Sequence, residues 1–209
     1  MSDDFDRSVF INCPFDPDYA PILQATLFCV VALGFIPRIA TETVDSGQVR
    51  LEKIKRLITA SRYSIHDLSR CEATERGERY RLNMPFELGV DYGCRQFAGA
   101  HWATKNILIL EERPFRYQAA LSDLAGCDIA AHGADFQIAV RKVRNWLAQV
   151  AGTETMGPRR ILDRYEDFQA WHYERQIALG FSEDDIRDYP TFELLDAMKD
   201  WVRRLAETA

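Results

Sequence analysis

Ile65-His66-Asp67-Leu68-Ser69, followed after a charged gap by Asn83-Met84-Pro85-Phe86-Glu87-Leu88-Gly89, is the stretch whose reading decides the fold. The first segment is an apolar run that ends in a carboxylate and a hydroxyl, as a buried strand does when it leaves its sheet. The second opens a helix, with an asparagine at its start and a glutamate in its first turns. A strand that hands over to a helix is half of a parallel βαβ unit, and such sheets take ligands in the crevice outside the carboxyl ends of their strands. Asp67 and Glu87 are therefore expected at one crevice.

Outward from that stretch, strand and helix signals alternate. Ser8 to Cys13 is a short apolar run closed by Pro14, and Tyr19 to Leu33 is a long apolar helix ended by Gly34. Phe35 to Ala40 reads as a second strand, and Pro37 within it assigns it to a sheet edge. Helices are predicted over 47–60, 83–97 and 136–150, and strands over 63–68, 106–110 and, weakly, 128–131. Right-handed crossovers with an edge-like second strand give a flavodoxin-like five-stranded parallel sheet, order 2-1-3-4-5, with helices on both faces. Its switch point lies between the first and third strands. The loops there, Cys13 to Tyr19 and Asp67 to Arg70, coincide with the motifs. The α/β domain is expected over 1–151, a Gly/Thr/Pro linker over 152–158, and a helical extension over 159–209 with amphipathic segments 162–179 and 191–205.

Composition narrows the function classes. The 209 residues carry a formal net charge of -6, which disfavours extended contact with nucleic acid or an anionic membrane. Small molecules and proteins are the expected partners. The five cysteines are scattered and never form CxxC, as expected of reduced thiols in a cytoplasmic protein. No apolar run reaches membrane-span length, and the acidic start Met1 to Asp6 has no secretory character. His66 and Asp67 alternate across a strand and are not expected to form a dyad. His101, His132 and His172 are isolated, with no metal-ligand spacing, so no metal site is expected. GxGxxG, GxxxxGK[ST] and GxSxG are all missing from the sequence.

What remains is a carboxylate chemistry. Glu87 in a crevice can attack an anomeric carbon or stabilise an oxocarbenium-like transition state, and the helix N-terminus favours its ionised form. It can equally be a surface residue that complements the helix dipole. Asp67 can orient a ribose hydroxyl or share a proton with a leaving base, or simply shape the turn that Ser69 completes. Asn83 reads as a ligand for sugar hydroxyls or as a helix N-cap. In the first loop Pro14 stiffens the turn, Phe15 is placed to stack on a base, and Asp16 and Tyr19 to meet sugar hydroxyls. Phe15 and Tyr19 have the alternative of covering the core. Ser46 lies in a polar loop on the same edge, and Arg50 follows it, either reaching a phosphate or solvated.

Together, Val9-Phe10-Ile11-Asn12-Cys13-Pro14-Phe15, Asp67-Leu68-Ser69 and Asn83-Met84-Pro85-Phe86-Glu87-Leu88-Gly89 resemble the nucleoside 2-deoxyribosyltransferase-like proteins and the related bacterial TIR domains, over roughly residues 8 to 150. The resemblance implies that Glu87 is the catalytic glutamate and Asp67 the accompanying aspartate. It implies N-glycosidic cleavage or transfer on a nucleotide, with NAD as the favoured substrate of a glycohydrolase or cyclase, not a resident cofactor, and a setting in antiphage defence. The alternatives are a deoxyribosyltransferase and a non-catalytic nucleotide-sensing or scaffold module. TIR-like enzymes further imply assembly, here as a homo-oligomer or with a protein partner through the C-terminal helices. Cys13 stands where the transferases carry a glycine, and the gap between Ser69 and Asn83 is longer than theirs, so the pocket is expected to differ.

Overall fold

Every apolar run read as a strand pairs in parallel with its neighbour. In the computed structural model, which describes residues 4–43, 45–70, 82–119, 121–152 and 156–207, β1 (Ser8–Asn12), β2 (Ile36–Ile39), β3 (Tyr63–Asp67), β4 (Asn106–Glu111) and β5 (Ala130–Ala131) form one sheet ordered β2-β1-β3-β4-β5. This is the flavodoxin-like topology. β2 pairs with β1 alone among the described residues, which puts Pro37 in an outer strand.

Side-chain alternation assigns the layers. Val9, Ile11, Tyr63, Ile65, Leu108 and Leu110 share a core with α1 (Ala20–Ala32) and α4 (Phe136–Ala151). On the other face Phe10 packs with Ile54, Leu57 and Ile58 of α2 (Arg50–Thr59), and Ile109 with Met84 and Leu88 of α3 (Asn83–Phe97). Adjacent strand residues thus feed opposite layers. His66 points toward α3, whereas Asp67 points toward the α1/α4 layer.

α1 is apolar around most of its circumference because it is covered from both sides. The sheet lies beneath it, and α5 (Pro158–Ala178) and α7 (Thr191–Glu207) lie above it. Phe28, fully buried, is the pivot: its ring lies 5.3 Å from Tyr165, 5.4 Å from Phe168 and 5.6 Å from Trp201. Residues beyond the predicted linker therefore complete the same core as the α/β layers. A short helix, α6 (Glu183–Arg187), joins α5 to α7 and is closed by a capping box between Ser182 and Asp185. Gly34 takes φ +82° where α1 turns into β2, a conformation that costs glycine little. Among the described residues no helix is long and apolar enough to cross a membrane.

Candidate functional site

The carboxyl ends of β1, β3, β4 and β5 carry Asn12, Asp67, Glu111 and, one residue past β5, His132. All four are buried. They build two buried polar clusters, one on each side of the sheet, flanking the switch point between β1 and β3.

The first cluster centres on Asp67, whose carboxylate has no exposed surface. Its Oδ2 accepts from the Tyr19 hydroxyl at 2.6 Å and from His132 Nε2 at 2.9 Å. Its Oδ1 accepts from the Ser69 backbone N–H at 2.9 Å and from the Ser69 hydroxyl. Burial pushes the Asp67 carboxyl up, but the His132, Ser69 and Tyr19 donors outweigh it and hold the group below its ordinary value. The His132 ring is set by its other nitrogen: the Ala134 N–H donates to Nδ1 at 3.1 Å, which leaves the ring proton on Nε2, aimed at Asp67. Two consecutive left-handed residues, Gly133 (φ +61°) and Ala134 (φ +58°), turn that N–H inward, and such a conformation at a non-glycine residue is a strained feature typical of functional sites. Arg116, paired with Glu111, donates to the Ser69 carbonyl and braces the loop from below.

A second cluster lies under α3. Asn12 Nδ2 is 3.0 Å from His66 Nδ1 and donates to the Met84 carbonyl at 3.0 Å, so β1 is tied to the first turn of α3. With Nδ1 accepting, His66 carries its proton on Nε2, 3.0 Å from Asp91 Oδ2, and the Lys105 ammonium approaches Asp91 Oδ1 at 3.2 Å. Burial pushes the Asp91 carboxyl up, yet His66, Lys105 and Ser64 together draw it below its ordinary value. Two charges held this deep are each fixed in geometry by a partner.

Glu87 sits between these anchors, in the second turn of α3 and 5% exposed. Burial raises its carboxyl, and the Arg50 guanidinium, 3.8 Å away at the start of α2, partly opposes the rise. The neighbouring crevice, about 510 Å³, is lined by Asn12, Cys13, Pro14, Phe15, Arg50 and Asn83 among others. Pro14 is buried in its wall and Phe15 stands exposed at its rim. Cys13 feels both carboxylates: burial first, then Asp67, Glu87 and Asp16, push its thiol well above the ordinary range, which disfavours a thiolate there.

Comparison of the chain with protein-family models, with curated proteins and with solved structures gave no match. The site therefore rests on its own geometry.

That geometry sorts the predicted residues. Pro14, Phe15, Asp16, Arg50 and Asn83 line the crevice, and Glu87 joins them through Arg50. Asp16 also accepts from the Tyr19 N–H and meets Arg70 at 3.4 Å. Asp67, Tyr19 and Ser69 instead close on one another and on His132, so they brace the crevice loop from within. Asn83 is the first residue of α3 and exposed; Leu82 holds the N-cap position, without a side-chain cap. Ser46 lies in an exposed turn apart from the crevice lining. The helix N-terminus was expected to keep Glu87 readily ionised, but its second-turn position puts it past the free N–H groups, and burial governs instead. His132, read as isolated, is the direct partner of Asp67. Its position just past a strand's carboxyl end was the available signal, as it was for Asn12. Among the described residues no group of three or more His, Cys, Asp and Glu is arranged to hold a metal ion.

Proposed function

We propose that this protein cleaves or transfers at the N-glycosidic bond of a nucleotide, with NAD as the favoured substrate and Glu87 as the essential carboxylate. One observation carries the reading: a buried carboxylate faces a guanidinium at 3.8 Å beside an open crevice at the switch point of a 2-1-3-4-5 sheet. The substrate's sugar would lie over Glu87, its base against Phe15, and a phosphate on Arg50, whose side chain is 57% exposed and available to reach outward.

In the reaction the bond from the ribose C1′ to the base nitrogen breaks, and its electron pair leaves with the base. The Glu87 carboxylate stabilises the oxocarbenium-like centre or bonds to C1′; water or a second acceptor then attacks C1′, the Glu87–C1′ bond, where formed, breaks with its electron pair returning to the carboxylate, and the acceptor loses a proton. Glu87 must be ionised for this step. Its raised carboxyl makes the ionised form more basic, and a phosphate that draws Arg50 away would leave that negative charge less neutralised at the reacting carbon. Asp67, enclosed by its four donors, acts by holding the loop that follows β3.

The deciding experiment incubates wild-type and Glu87→Gln protein with NAD and, separately, with a deoxynucleoside plus an acceptor base, followed by chromatography and mass spectrometry. Nicotinamide release that disappears in the variant supports the reading on NAD. Base exchange that disappears instead assigns a deoxyribosyltransferase. Silence with every substrate, at high protein concentration, would reject catalysis in favour of a nucleotide-sensing module.

A further inference from the structure

The helices past residue 158 do more than complete the core. Where the α6–α7 turn faces α1 they leave a groove of about 430 Å³, within the roughly 300–1,000 Å³ of small-molecule sites. Its floor is apolar, built from the buried Leu23 and Leu27 of α1 and Leu194 of α7. Its rim is polar and largely unused. Asp184 is taken up by Arg187 at 3.0 Å. The Gln24 amide, the Asp188 carboxylate and the Thr191 hydroxyl, by contrast, have no hydrogen-bond or ion-pair partner among the described residues.

The groove adjoins the crevice. Phe15 and Asp16 line both, so the β1–α1 loop divides a groove of about 430 Å³ from a crevice of about 510 Å³. Cations flank that divide: Arg50 lines the crevice side, and Arg70 reaches Asp16 at 3.4 Å and Asp18 at 3.9 Å. Beyond it the balance turns negative, with Asp16, Asp184 and Asp188 set against Arg187. Passing from Glu87 outward, a ligand therefore meets a carboxylate, then cations, then an apolar floor rimmed by hydrogen-bonding groups that lack partners.

We propose that the groove holds the second nucleoside of a dinucleotide whose scissile sugar lies in the crevice, so that the C-terminal helices select a dinucleotide over a mononucleotide. The inference rests on the reading of Glu87 as the carboxylate of N-glycosidic chemistry. The pyrophosphate crosses the divide between Arg50 and Arg70. Past it, the Asp188 carboxylate accepts from the ribose hydroxyls, as a carboxylate does at the ribose 2′-OH in dinucleotide folds. The base lies on the leucine floor, and the Gln24 amide, which both donates and accepts, meets its edge. The negative rim disfavours a phosphate on that ribose, so a dinucleotide with a 2′-phosphate fits less well than one without.

Titration calorimetry of the full chain in a Glu87→Gln background, which removes turnover, tests the groove with NAD, NADP and nicotinamide mononucleotide. NAD is expected to bind about tenfold more tightly than either of the others. Gln24→Ala and Asp188→Ala should each weaken NAD about tenfold, the effect of one lost hydrogen bond, and leave the mononucleotide unchanged. Asp188→Asn, which keeps an acceptor but drops the charge, should narrow the gap between NADP and NAD. Neither position is buried, and thermal melts matching the parent confirm the fold. Nicotinamide release by the protein with Glu87 intact reports on the chemistry separately: groove-dependent NAD binding without release would reject that chemistry and keep the groove as the subsite of a bound dinucleotide. Equal affinity for NAD and the mononucleotide, or substitutions that weaken both alike, would overturn the proposal while leaving Glu87 untouched. Absence of heat with all three probes would overturn it as well.

Discussion

Asp67→Asn should be among the most damaging single-atom changes in this protein. The carboxylate accepts four hydrogen bonds, two at each oxygen. An amide nitrogen placed at Oδ1 would face the Ser69 backbone N–H, which cannot accept in any arrangement. Placed at Oδ2 it would face His132 Nε2, and moving the His132 proton to Nδ1 would aim it at the Ala134 N–H, 3.1 Å away. Either orientation sets a donor against a donor. A lost charge-assisted bond is worth about 1.5–3 kcal/mol and an unsatisfied buried donor about 1–3, so the substitution should cost about 3–5 kcal/mol. For a chain of this size that lowers Tm by about 6–20 °C. The pH dependence supplies a second constraint. Asp67 has a folded-state pKa held below the ordinary 3.8, so its stabilisation is complete above the unfolded value and is lost as pH falls through the folded one. Urea unfolding followed by tryptophan fluorescence, at neutral pH and down to about pH 3, should show the gap between wild type and variant narrowing at the acid end. A gap under 1 kcal/mol at neutral pH, or one that stays constant with pH, would refute the four-donor account.

The other expectations concern neighbouring groups. Glu87→Gln should abolish turnover while raising Tm at neutral pH, because a carboxyl whose folded pKa is raised favours the folded state below its unfolded value and loses that contribution as pH rises; a fall in Tm by thermal melt would contradict the desolvation argument. Asn12→Ala removes the tie to the Met84 carbonyl and should cost about 2 kcal/mol, read by denaturation, with a drop in kcat as the first turn of α3 loosens; full activity would show that the tie does not position Glu87. Phe28→Ala should cost about 3–5 kcal/mol and expose the aromatic contacts of α5 and α7 together, seen as one cooperative transition; a separate early transition of the C-terminal helices would mean that they fold apart from the sheet. Burial, then Arg175, lowers the His172 pKa, so its contribution is present above the unfolded 6.5 and fades as pH falls below it; Tm measured from pH 7 to about 5 should decline less steeply in His172→Phe than in wild type.

Much of the architecture was legible because it depends on periodicity. β3 and α3 appear at the positions their apolar runs and polar breaks predict, and Pro37 in β2 identified an outer strand and with it the 2-1-3-4-5 order. The crevice lining was legible for the same reason, since Pro14, Phe15, Arg50 and Asn83 follow the strands that topology places side by side. What local sequence could not convey was pairing at a distance. His132 lies 65 residues from Asp67 and reads as a lone histidine until β5 is laid in the sheet and two left-handed residues turn its ring. Lys105 likewise finds its partner at a distance along the chain: it is 3% exposed and meets Asp91. Burial also reversed the expectation for Glu87, since a helix-start argument concerns the backbone and not what α2 brings against it.

The two clusters explain how a crevice between two layers can hold a carboxylate in place. β1 contributes to both: Asn12 grips α3 through the Met84 carbonyl, and the loop beyond it carries Tyr19 to Asp67. A displacement of that loop would therefore strain the fourfold shell of Asp67 on one face and the His66–Asp91–Lys105 chain on the other. Each shell consists of short, directional bonds in a low-dielectric setting, where a partly broken network is worse than none. Among the described residues the charged neighbour of Glu87 is Arg50, whose side chain is more than half exposed, so the pair itself contributes little stability. Rigidity is concentrated on the residues around Glu87, and freedom is left to the side chain that faces it. That division suits a site in which the carboxylate must stay fixed while its counter-charge is released to an incoming anion.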